Sequence, residues 1–151
     1  MTKRQIINEY FLHGLKNLEP STVIKAFAGK PEEIMTKKDF KKYETLPEYV
    51  TLYRGCDMDE IEEGLGCPLG ISWTTDYKVA EFFAYRFGGD NKCVVKTVVP
   101  KDAISYFTDD RREKEAIVFP FLIEEECEIV SSEVFGYDPR EFHEYIEKTA
   151  C

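Results

Sequence analysis

Three short segments stand in a fixed order along this chain: Leu52-Tyr53-Arg54-Gly55, then Ser72-Trp73-Thr74-Thr75, then Glu113-Lys114-Glu115-Ala116-Ile117-Val118. β-Branched and aromatic neighbours place each of them on or beside a strand. The fold must therefore be a sheet that gathers an arginine, a hydroxyl pair and a carboxylate pair from distant parts of the chain. An arginine fork grips phosphate or ribose oxygens, and a carboxylate in a dry cleft stabilises developing positive charge. These are the parts of a site that holds a nucleotide and stabilises a sugar cation.

The rest of the chain is read around that sheet. Residues 1–48 form a helical cap. Thr2 with Gln5 fits a capping box, and Ile6, Ile7, Tyr10, Phe11, Leu15 and Leu18 recur at helical spacing. That aromatic stripe, His13 included, is expected to pack into the core. Pro20 restarts a short helix that Gly29 can end, and Pro31 opens another through about Tyr43. From Tyr49 the texture changes to strands: Val50 to Arg54, Ile71 to Thr74, Lys92 to Val99, Glu115 to Phe119 and Phe121 to Val130. A glycine-rich connection spans Gly64 to Gly70, with no Gly-Lys-Ser/Thr after it, which excludes a Walker phosphate loop. Thr75-Asp76 caps a helix that Gly88-Gly89 terminates, and Asp138-Pro139-Arg140-Glu141 starts a C-terminal helix.

At 151 residues the chain fits one domain, 1–151, with no repeat or linker to justify a boundary. Hydrophobic residues make up 43% and aromatics 14%, enough apolar surface to offset the entropy of ordering. The net charge of −9 disfavours nucleic-acid partners. Cys56, Cys67, Cys93, Cys127 and Cys151 are scattered, with no Cys-x-x-Cys pair and two histidines in the chain; neither a disulfide framework nor a metal site is expected. No apolar run approaches the roughly 20 residues that span a bilayer, and the N-terminus lacks a signal peptide's apolar core. A soluble cytoplasmic protein with no membrane partner is expected.

The ordered arginine, serine and glutamate segments resemble the arginine-serine-glutamate class of mono-ADP-ribosyltransferases, over roughly residues 50 to 130. One departure stands out: the family's Ser-Thr-Ser reads Ser72-Trp73-Thr74 here, and on a strand Trp73 points away from its neighbours into the core. The resemblance implies an α+β fold, an ADP-ribosyltransferase-like split β-sheet with an N-terminal helical cap and a C-terminal helix. It implies transfer of ADP-ribose from NAD, used as substrate, to a protein side chain, with release of nicotinamide. Glu115 then stabilises the oxocarbenium-like sugar, and Ser72 positions Glu115 and the ribose. Arg54 holds phosphate or ribose oxygens, Gly55 lets backbone approach the carboxamide, and Thr74 faces the same way as Ser72. Phe83, with Tyr77 and Phe82 beside it in sequence, is a stacking surface for nicotinamide.

Glu113, in an extended segment, projects to the same side as Glu115, and the resemblance makes it the group that orients an arginine acceptor. Two alternatives stay open: an NAD glycohydrolase on the same fold, and a non-catalytic module that binds NAD or protein. Small single-domain chains of this kind fit phage or bacterial effectors that modify host proteins. A Ser-His-Asp or Cys-His hydrolase has little support, because His13 and His143 lie in helical stretches without the signatures of such sites.

Overall fold

The computed structural model of the protein describes residues 1–63, 68, 70–86, 91–124 and 126–132. Within them helices are combined with a six-stranded antiparallel sheet, an α+β arrangement. Helix α1 (Lys3–His13) begins at the expected capping box: the Gln5 N–H donates to Thr2 Oγ1, and the Thr2 N–H donates to Gln5 Oε1 at 2.7 Å. It ends short of Leu18, because Gly14 adopts φ 60 and ψ −139, outside the helical region. Leu15 is left exposed. Helix α2 (Pro20–Phe27) carries proline in its first turn, as expected.

The single helix expected from Pro31 to Tyr43 is two. A one-turn helix α3 (Pro31–Ile34) stops, Thr36 turns extended and accepts the Asp39 N–H, and α4 (Lys37–Glu44) starts anew. A threonine that caps from inside a periodic stretch breaks it, since its hydroxyl competes for a helical donor. After strand β1 (Tyr49–Asp57) comes a short helix α5 (Met58–Glu63), which periodicity alone does not reveal. Strand β2 (Ser72–Thr74) leads through the Asp76 N-cap into α6 (Tyr77–Tyr85). Strands β3 (Lys92–Pro100), β4 (Tyr106–Thr108), β5 (Glu115–Ile117) and β6 (Glu128–Ser131) complete the sheet.

The strand expected over Phe121–Val130 is a correction. Pro120, with its fixed φ and no N–H, opens a 3₁₀ turn over Pro120–Leu122, and pairing resumes only at Glu128. Residues 64–67, 69, 87–90, 125 and 133–151 lie outside the described residues; with them go most of the glycine-rich connection, Gly88-Gly89, His143, Cys67, Cys151 and the expected C-terminal helix.

The strand order is β4-β5-β2-β1-β3-β6. Strands β1 and β3 pair along their whole lengths, from Tyr49 opposite Pro100 to Asp57 opposite Lys92. Strands β1 and β2, by contrast, meet at one registered pair, Tyr53 opposite Thr74. The sheet is thus two three-stranded halves joined narrowly at its middle. Helix α6 packs on the β1–β3 half, and α4 packs against β4.

The cap is welded to the sheet by aromatic rings. Tyr10, Phe11, Phe27 and Tyr106 meet edge to face at centroid separations of 5.3 to 5.9 Å, a geometry that adds about 0.5–1.5 kcal/mol per pair beyond simple burial. Trp73, 2% exposed, lies in the same core, as strand alternation predicts. Polar bonds support the seam: Tyr106 Oη and Thr108 Oγ1 donate to the buried Asp39 carboxylate at 2.6 and 2.7 Å, and Arg4 reaches Tyr106 Oη at 3.0 Å.

Candidate active site

Where β1 and β2 part, side chains replace the missing ladder bonds. Arg54 Nη1 donates to the Ser72 carbonyl at 2.7 Å, bridging the two halves of the sheet. Its Nε and Nη2 grip both oxygens of Glu60 on α5, at 2.7 and 2.8 Å. A guanidinium has five N–H donors in a fixed fork, and three of them are used by these partners among the described residues. Burial pushes the Glu60 carboxyl up, but the hydrogen bond and charge of Arg54, with the Gly70 N–H, outweigh it and hold Glu60 below its ordinary range. The arginine is therefore a fixed cation in the gap. Sequence reasoning missed Glu60, because nothing in the spacing of a Met58-Asp59-Glu60 run marks one carboxylate as a partner.

Ser72 stands at the centre of the site. Its hydroxyl lies 2.6 Å from Tyr10 Oη on α1, and its hydrogen bonding favours the ionised form of Glu115 on β5. An ionised carboxylate only accepts, so Ser72 donates to Glu115 and Tyr10 donates to Ser72. The pairing places them: Ser72 lies opposite Ile117 and Thr74 opposite Glu115, which puts all four side chains on one face of the sheet. Tyr10 belongs to the stripe expected to be core. It is buried at 9% exposure, yet its hydroxyl is part of the site.

Glu113 and Glu115 come together by a route other than the expected one. Residues 109–114 do not extend; Arg112 and Lys114 sit at φ 59 and 47, in the left-handed region. Such conformations persist only where surrounding bonds hold them. Asp109 takes the Arg112 N–H on its carbonyl at 2.9 Å and the Lys114 N–H on Oδ1 at 3.3 Å. Thr74 Oγ1 donates to the Glu113 carbonyl at 2.7 Å and accepts the Asp76 N–H at 3.1 Å. Thr74 lines the site, but its hydroxyl is thereby committed to shaping this loop.

The loop folds Arg111 back over both carboxylates, with Nη2 at 3.4 Å from Glu113 Oε2 and 3.5 Å from Glu115 Oε1. The Glu115 side chain is 13% exposed. Burial pushes its carboxyl above the ordinary carboxylate range and the charge of Glu113 adds to that, while the Ser72 hydrogen bond and Arg111 oppose it. Burial likewise pushes Glu113 up, against Arg111 and Arg86.

Arg54, Ser72, Phe83, Arg86, Glu113 and Glu115 all line one cavity of about 550 Å³. Phe83 faces it under the Arg86 guanidinium, which lies 4.7 Å from the ring centroid. Tyr77 packs instead against Tyr53, at 5.5 Å between centroids. Trp73 closes part of the wall, and its Nε1–H is buried with no partner among the described residues. His13, expected in the core, is exposed at the rim, because α1 ends at the cavity mouth. Gly55 has a demand of its own. A Cβ there would stand 2.5 Å from Ala84 N and 3.0 Å from Ala84 Cα, with the Ala80 carbonyl nearer still, so glycine is what lets α6 seat on β1. A second cavity of about 300 Å³ opens on the cap side of the same carboxylates, lined by Asp39, Asp110, Arg111, Glu113 and Glu115 among others.

Comparisons with protein-family models, with curated proteins and with solved structures find no match to this chain.

Proposed function

We propose that this protein is a mono-ADP-ribosyltransferase that moves ADP-ribose from NAD to a guanidine group on a protein and releases nicotinamide. One observation carries the reading: Ser72, 2.6 Å from Tyr10 Oη, and the mostly buried Glu115 carboxyl, whose ionised form Ser72 favours, stand together in the wall of a cavity that Arg54 and Phe83 also line. The narrow join between the sheet halves supports a split-sheet architecture with the donor seated at the split. A cavity of about 550 Å³ lies within the range of roughly 300–1,000 Å³ typical of cofactor-sized ligands.

In this reading Arg54, with Arg86, takes oxygens of the dinucleotide, and Phe83 offers its ring to nicotinamide. As the nicotinamide–ribose bond stretches, charge builds on the sugar. Glu115, ionised and held by Ser72, stabilises it in a poorly solvated pocket where such a charge counts most. A protonated guanidinium is a poor nucleophile, so transfer needs a base. Glu113, close by and with a carboxyl whose affinity for protons burial has raised, orients the acceptor and takes its proton.

The test measures nicotinamide release and transfer to a small guanidino acceptor in one preparation, for the wild type and for Glu113→Gln. Transfer is expected to fall far more than release. An equal fall in both assigns Glu113 to the donor site. Release with no transfer to any guanidine makes the protein an NAD glycohydrolase, and no release by the wild type leaves a non-catalytic module.

A further inference from the structure

We propose that Arg111 is itself an acceptor: the protein ADP-ribosylates its own Arg111, within one molecule, before or in competition with any other target. The inference rests on the donor reading above and adds a modification site to it. Its basis is position. A guanidine acceptor must lie where one carboxylate can take its proton and the other faces the sugar carbon, and Arg111 Nη2 already stands 3.4 Å from Glu113 Oε2 and 3.5 Å from Glu115 Oε1. One guanidinium nitrogen of Arg111 thus contacts both carboxylates at once.

The placement is built into the loop. In a regular strand, residues 111, 113 and 115 would be spaced about 6.5–7 Å apart along one side. Left-handed Arg112 and Lys114 curl the segment, and the Asp109 and Thr74 bonds hold the curl, so the guanidinium returns across its own carboxylates. The Arg111 side chain remains 46% exposed and lines both cavities, the large one with Arg54 and Phe83 and the smaller one on the cap side. It is placed to reach a sugar carbon held in the first cavity. A fixed counter-ion sealed between two carboxylates would be buried.

The step balances without a further reagent. The bond between the ribose anomeric carbon and the nicotinamide nitrogen breaks, and its electron pair leaves with neutral nicotinamide. An Nη nitrogen of Arg111 gives a lone pair to the same carbon, and the proton it sheds passes to Glu113. Holding acceptor and donor on one chain removes a bimolecular encounter, the largest entropic part of such a barrier. The rate per molecule should therefore not depend on protein concentration.

The experiment uses the full chain and NAD alone, following nicotinamide by chromatography and the protein by intact mass and peptide fragmentation. The expected result is one ADP-ribosyl group per chain, on Arg111, with a first-order rate constant unchanged on about tenfold dilution. Arg111→Lys should carry no label at position 111 and none at Arg112, since lysine holds charge without the guanidine. Nicotinamide release with ADP-ribose free in solution overturns the inference while leaving the donor reading intact. Label on Arg86 or Arg112 in place of Arg111, or a rate that scales with protein concentration, also overturns it. No nicotinamide release, together with no calorimetric binding of NAD, removes the donor reading and this inference with it.

Discussion

Gly55→Ala is expected to push helix α6 away from the sheet. The added methyl would meet backbone and not the tip of a flexible side chain: Ala84 N at 2.5 Å, Ala84 Cα at 3.0 Å and the Ala80 carbonyl more closely. Carbon atoms rest at about 3.5–4.0 Å, so the helix must shift by on the order of 1 Å, because backbone cannot rotate out of the way. Overpacking of this kind costs about 1–3 kcal/mol. For a chain of this length each kcal/mol lowers the midpoint by roughly 2–4 °C. Helix α6 carries Phe83 and leads to Arg86, both in the large cavity, so NAD affinity should fall with stability. Thermal unfolding and calorimetric titration of the same variant measure the two effects. Unchanged stability with lost NAD binding would show that the glycine serves the ligand and not the helix. No change in either would refute the packing argument.

Glu60→Gln should destabilise the fold by about 3–5 kcal/mol, read by chemical denaturation, because it leaves a largely buried Arg54 without its charged partner. Ser72→Ala removes the hydrogen bond that favours ionised Glu115, so the acid limb of turnover should move to higher pH and the neutral-pH rate should drop about tenfold or more; an unmoved acid limb would contradict the link. Glu115→Gln should be more stable than the wild type at neutral pH. The folded-state pKa of Glu115 is raised, so the wild type holds its full stability from this group below about pH 4.3, the unfolded value, and loses it as pH rises through the folded value. The advantage of the glutamine variant should therefore vanish in acid.

The strands that carry the site were legible because alternation and β-branched residues mark them: Arg54, Ser72 and Glu115 lie on β1, β2 and β5 as expected. Caps were legible where a side chain announces them, as at Thr2 and Asp76. Strand β4 was not, since three residues are too few to show a period. The site's partners escaped for a different reason. Tyr10 reads as one more apolar position on α1, and only the folded pairing of α1 with β2 turns its hydroxyl toward Ser72. Glu60 and Arg111 are charges in charged runs, and their roles arise from the turn of α5 beneath Arg54 and from left-handed residues that periodicity does not foresee. The pairing of Glu113 with Glu115 was anticipated from an extended segment, while a curled loop produces it.

The central claim is that Glu115 stabilises a sugar cation formed from NAD. Glu115→Gln keeps nearly the same shape and removes the charge, and it should fold at least as well as the wild type because burial disfavours the ionised carboxylate it replaces. The decisive measurement is nicotinamide release from NAD by the two proteins at equal concentration and neutral pH. The account predicts release by the wild type and a loss of about 100-fold or more in the variant. Release by folded Glu115→Gln at the wild-type rate would contradict it.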